Sequence, residues 1–208
     1  MRRIKKFRIP VYGNEILRRT RNKKALEEAG LESGRGLMEH VSLLASYLEP
    51  ALTFETAEPA ELSLFGLGSD GINPATAAAL TLGKNYGVKA DGENNPALKV
   101  LNLTASSVFI NTAVKLASEL AQRDADLENC AVLAPAYIYK YPPDNSLSDD
   151  YGADDSALLY ETKSLRDICL RLETDKIGIS CENYSVEPKY SAIFFLPWQS
   201  KGGRRKKK

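Results

Sequence analysis

The stretch TDKIGISCENYSVEPKYSAIFFLP, residues 174–197, decides the reading of this chain. It holds two short apolar runs, Ile177 to Cys181 and Ser191 to Leu196. Short apolar runs bounded by turn formers read as strands. Between them lies the polar hinge Glu187-Pro188-Lys189. Proline cannot donate to a ladder, so the hinge reads as a bend between two strands. Upstream, Leu158 to Leu172 reads as a helix with Leu165, Ile168 and Leu172 facing inward.

The earlier segments alternate between helix and strand. Asn14 is placed to cap a short helix from Glu15 to Arg21, Lys23 to Ala29 is a run of helix formers that Gly30 can close, and Ser33 is placed to cap the next helix. Leu37, Met38, Val41, Leu44, Ala45 and Leu48 form one apolar stripe ending before Pro50. Ala51 to Glu58 and Glu61 to Phe65 read as strands, followed by the turn Gly66-Leu67-Gly68. That Gly-x-Gly lacks the third glycine of a dinucleotide loop. Pro74 to Leu82 fits either a helix by its alanines or a buried strand by its length. Asn95-Pro96 starts a long helix, a capping side chain followed by proline at the first helical position. Its expected end is near Gln122, and its expected inner face is Leu98, Leu101, Ala105, Val108, Thr112, Leu116 and Leu120. Ala131 to Tyr139 reads as one strand, bent or at an edge because of Pro135. Residues 141–156 read as an acidic loop without the calcium-loop spacing.

Charge is unevenly placed. Of 28 Lys and Arg residues, 11 lie in residues 1–8 and 201–208, leaving 17 against 27 acids in the body, a net near −10. An acidic body disfavours a nucleic-acid groove on the fold. The two basic ends, flanking one domain over residues 9–200, read as solvated tails, or alternatively as arms that dock on nucleic acid or an acidic partner. His40 is the sole histidine, without a partner at ligand spacing. Cys130, Cys169 and Cys181 are odd in number and widely spaced, which disfavours a disulfide framework and a thiolate zinc site. Buried thiols in a cytoplasmic protein are the expectation. No secretory signal and no run of about 20 apolar residues is evident.

Several segments, in order, carry a resemblance. NEILRR at 14–19, ALTLGK at 79–84, VLNLTASSV at 100–108, LAPAY at 133–137 and SLRDICLRLETDKIGI at 164–179 precede Glu182, Tyr184, Pro188, Ser191, Ala192 and Ile193. The set is similar to the reactivation domain of cobalamin-dependent methionine synthase, including its stand-alone forms. The resemblance implies an α+β fold, a single mixed domain with a small, mainly antiparallel sheet flanked by helices. It makes Pro74 to Leu82 a strand. It implies an accessory role in reductive methylation of a cobalamin cofactor, for methionine synthesis. S-adenosylmethionine would supply the methyl group, flavodoxin the electron, and a cobalamin-binding methyltransferase module the cofactor. The ligand site would use Ala134, Pro135, Ala136 and Tyr137 with Glu182 and Tyr184, and no catalytic residue or metal is implied.

The chain departs from that pattern at the ligand. The loop is expected to read Arg-x-x-Pro-Gly-Tyr, but Val132 and Ala136 stand at the Arg and Gly positions. Expected carboxylates of the central helix fall on Asn102 and Ile110. Valine cannot make the forked contact of Arg to a ligand carboxylate. The alternative expectation is a non-catalytic binding or scaffold protein that retains the fold.

Overall fold

The computed structural model describes residues 1–20, 27, 34–58, 74–143, 163–182 and 185–201. Its elements are β1 (Arg2–Lys5), α1 (Gly13–Arg19), α2 (Gly34–Ala45), β2 (Ala51–Ala57), β3 (Ala75–Thr81), α3 (Lys84–Asp91), α4 (Pro96–Leu127), β4 (Cys130–Val132), β5 (Ala136–Lys140), α5 (Lys163–Arg171), a 3-10 turn (Thr174–Ile177), β6 (Ser180–Glu182), β7 (Ser185–Glu187) and β8 (Ser191–Ser200). The fold is α+β. A six-stranded sheet runs β1-β2-β3-β8-β4, with β5 also paired to β8. Every strand pairing in it is antiparallel.

β3 sits between β2 and β8 and every residue of it is buried. Successive side chains of a strand alternate between faces, so β3 is covered on both. α4 packs against β3 and β8, and the 3-10 turn packs against β2 and β3. Ala75, Ala77 and Ala79 share one face of β3 and Ala78 lies on the other, so short side chains permit close packing on both faces. Pro74 to Leu82 is thus a strand, and its local alanine preference for helix yields to ladder pairing on both sides. The strand ends at Thr81, and two residues on Gly83 turns the chain with a φ of +99°, where an added Cβ would lie 2.9 Å from Glu49 Cβ.

α4 begins as expected. The Asn95 side chain accepts from the amides of Ala97 and Leu98, and Pro96 occupies the first helical position. It runs on to Leu127, and its inner face differs from the expected one. The buried line is Leu101, Ala105, Val108, Phe109, Ala113, Ala117, Ala121 and Ala125, whereas Leu98 and Leu120 are only partly buried. Thr112 and Leu116 are half-buried. Small residues face the sheet because backbone approach sets this interface, and the larger leucines lie on its flanks. α4 is long and apolar enough to cross a bilayer, contrary to the expectation that no such run exists, but most of that stretch is buried in the protein's own core.

Other expectations also change. Residues 1–8 are not a free tail: Arg2–Lys5 pairs with β2, Ile4 and Phe7 pack on the core, and Lys6 N–H donates to Pro50 O. Arg2 meets Asp124 at 3.0 Å, and Arg3 pairs with Glu173. α1 starts at Gly13 behind Tyr12, so Asn14 lies inside the helix and no side chain caps it. The expected strand from Ala131 to Tyr139 is two strands, β4 and β5, separated at Leu133–Pro135. α5 buries Leu165, Ile168 and Leu172 as expected. Lys23 to Gly30 apart from Glu27, Ser33, Glu61 to Gly68, Tyr184 and residues 144–162 and 202–208 lie outside the described residues.

Cys169 and Cys181 form a disulfide, and only Cys130 is a buried free thiol. Counting and spacing missed the pair because α5 and the 3-10 turn fold the chain back on itself. The Cα atoms stand 6.5 Å apart across a separation of 12 residues.

Candidate functional site

The loop expected to hold a ligand lies along β8. Ala136 stands opposite Phe195 and Tyr137 opposite Phe194. Leu133 N–H donates to Pro197 O at 2.8 Å, which closes the break before Pro135. Ala134 is exposed, and Pro135, Ala136 and Tyr137 are half-buried. The Tyr137 ring lies 5.8 Å from Phe194, and the ammonium of Lys140 sits 4.6 Å over the same ring. Phe194 and Lys140 thus already face the ring expected to wall the ligand. Lys140 itself is 1% exposed. Sequence reasoning passed over Lys140, because nothing in a local pattern signals that a lysine four residues beyond a half-buried loop points inward.

Glu182 is exposed near the tip of the β6–β7 hairpin, opposite Ser185. The ligand loop pairs with β8 and Glu182's strand pairs with β7, so strand pairing does not join the two halves of the expected site. Val132 lies opposite Trp198, and its N–H donates to Gln122 Oε1 at 2.9 Å.

The two positions where the resemblance expects carboxylates are interior. Ile110 is fully buried and Asn102 is 1% exposed. Asn102 Nδ2 donates to Ala90 O at 3.0 Å, and its Oδ1 meets His40 Nε2 at 2.8 Å. It fastens α4 to α2 and to the end of α3.

The hinge forms a second polar cluster. The Tyr190 hydroxyl donates to Asp91 Oδ1 at 2.7 Å, and Lys189 Nζ is 3.0 Å from the same oxygen. The Lys189 ammonium also stands 4.9 Å from the Tyr141 ring centre and 5.4 Å from that of Tyr190. The Tyr139 hydroxyl donates to Lys189 O at 2.8 Å. Below, the Tyr86 hydroxyl bonds Ser106 Oγ at 2.6 Å, and Ser106 Oγ donates to Asn102 O at 2.6 Å. Burial pushes the phenols of Tyr86, Tyr139 and Tyr190 up, so they stay neutral. These groups hold a corner together; their hydroxyls are committed to protein partners.

Among the described residues no group of His, Cys, Asp or Glu side chains is placed to hold a metal ion. S-adenosylmethionine does not fit these residues in the expected manner: the Arg is Val132, the Tyr137 ring carries Phe194 and Lys140, and Asn102 and Ile110 are inside the core. No protein-family model matches the chain, and no curated protein matches it.

Proposed function

We propose that this chain is an accessory domain of the reactivation type, which docks on a cobalamin-carrying methyltransferase module and whose S-adenosylmethionine binding is weakened. One observation carries the reading. Three segments of the resemblance, far apart in sequence, lie on strands joined through β8: residues 79–81 on β3 pair with 191–193, and residues 136–137 on β5 pair with Phe195 and Phe194 just beyond them. Leu82 N–H donates to Tyr190 O and Tyr141 N–H to Ser191 O, which ties all three at the hinge. The 100–108 segment lies on α4, which packs on β3 and β8. Such adjacency is what motifs serving one site need, and chance matches scattered along a chain have no reason to meet. When S-adenosylmethionine is bound in such a domain, it supplies the methyl group; this chain's part is docking and orientation.

The scaffold reading draws on different residues. Asn102 and Ile110 spend their side chains on packing, as expected of a fold retained after its ligand is lost. Native mass spectrometry of the full chain with a cobalamin-loaded methyltransferase module, with and without S-adenosylmethionine, separates the two. A one-to-one complex with methyl transfer to cob(I)alamin supports the accessory role. No complex at micromolar concentrations overturns it in favour of the scaffold.

A further inference from the structure

We propose that the Cys169–Cys181 bond is a reversible thiol–disulfide switch that holds the β6–β7 hairpin in its docked position. The bond joins α5 to β6. α5 is anchored without it, because Leu165, Ile168 and Leu172 are buried in the core. The hairpin is not anchored in that way. Among the described residues β6 and β7 pair with each other alone, over three residues each. Ser180, Glu182, Ser185 and Glu187 are exposed, and among the described residues Val186 is the hairpin's one fully buried side chain. An isolated two-stranded hairpin is marginal in water. Its flanks are pinned by Ile179 and Tyr190, each 1% exposed, so loosening would stop at those residues.

The chemistry is thiol–disulfide exchange with an external dithiol. Cys169 is 5% exposed and Cys181 is half-buried, so a thiolate reaches the Cys181 sulfur first. It forms a mixed disulfide there and expels the Cys169 thiolate, which takes a proton. The second thiol of the reductant then closes its own disulfide and releases Cys181. The protein disulfide gains two electrons and two protons, and the dithiol loses the same. Cys130 stays out of the exchange, buried with Ala125 and Trp198 in a separate cluster. In a reducing compartment, disulfides of this kind are transient and redox-sensing rather than permanent. Glu182 rides on the hairpin, so its placement follows the thiol state. The switch does not depend on what Glu182 contacts and stands apart from the ligand reading.

The test is hydrogen exchange of the full chain in oxidised glutathione and in dithiothreitol, with thiols counted by maleimide after denaturation. One thiol is expected in the oxidised form and three in the reduced form. Amides flanking and within β6 and β7 should exchange on the order of a hundredfold faster on reduction, the factor chain entropy gives for a loop closed over a separation of 12 residues. Peptides from β3 and β8 should be unchanged, and reoxidation should restore protection. The Cys169→Ser/Cys181→Ser variant should exchange like the reduced chain in both buffers; if it does not fold, the reduced wild-type chain gives the same readout. Three thiols in every buffer, equal hairpin exchange in both forms, or global exchange on reduction would each overturn the proposal, the last by showing a structural staple.

Discussion

His40 donates its Nε2–H to Oδ1 of Asn102 at 2.8 Å, joining residues 62 positions apart. The direction follows from the chemistry. Asn102 Nδ2 donates to the Ala90 carbonyl, so the other amide atom is an oxygen that can only accept. The lone histidine therefore docks α2 on α4, and its tautomer is fixed by a partner that sequence could not identify. Asn102→Ala strands a buried carbonyl and an imidazole N–H and should cost about 1–3 kcal/mol by denaturant unfolding. Asn102→Asp restores the acid that the resemblance expects but removes the donor to Ala90. It should destabilise the fold and leave S-adenosylmethionine affinity unimproved by calorimetry, because the position is interior.

The helix face makes an opposed pair of predictions. Leu116 is half-buried, so Leu116→Ala should cost less than the roughly 2–5 kcal/mol of a core leucine. Ala117 is 2% exposed, and Ala117→Leu should cost about 1–3 kcal/mol through overpacking. The reverse order in urea midpoints would place the leucines back on the inner face.

The ligand loop can be repaired. Wild-type S-adenosylmethionine affinity should be weaker than about 1 mM, roughly −4 kcal/mol. Val132→Arg with Ala136→Gly adds a charge-assisted donor and frees the backbone at 136. If the loop is the site, calorimetry should show a gain of about ten- to a hundredfold, matching roughly 1.5–3 kcal/mol for a hydrogen bond to a charge. No gain would favour the scaffold.

The two basic ends should behave differently. Removing residues 1–5 strips an edge strand and the Arg2–Asp124 contact, and should cost about 1–3 kcal/mol of stability, within the range of ordinary destabilising changes. Removing residues 202–208 leaves Lys201, whose N–H donates to Asn129 O and whose Nζ meets Asp126 at 2.6 Å. Thermal unfolding should then shift by no more than about 0.5 kcal/mol.

The alkaline limb of stability should report the buried phenols. Tyr86, Tyr139 and Tyr190 are held above the usual tyrosine value of 10.0, first by desolvation, with a hydrogen bond to Asp91 adding to the rise at Tyr190. Above pH 10 the unfolded chain loses these protons while the folded chain keeps them. Stability is therefore complete below that value and falls as pH rises past it. Absorbance at the phenolate band should show these groups ionising together with unfolding rather than before it.

Sequence by itself determined the elements whose signals are local. Asn95-Pro96 fixed the start of α4, because the cap and the proline act within one helical turn. The Leu165, Ile168 and Leu172 spacing gave the buried face of α5. Glu187-Pro188-Lys189 marked a bend before β8, although the strand entering it is Ser185–Glu187 and not the expected Ile177 to Cys181, whose start ends a 3-10 turn. Tertiary structure decided what depends on partners distant along the chain. Ala75 to Thr81 became a strand through pairing with β2 and β8. Arg2 to Lys5 became a strand because β2 offers an edge, and a run of cations has no local reason to pair. Cys169 met Cys181 only once α5 and the 3-10 turn had folded back. The inner face of α4 turned on how closely a backbone can approach a strand of alanines, a property of two surfaces that neither sequence segment contains alone.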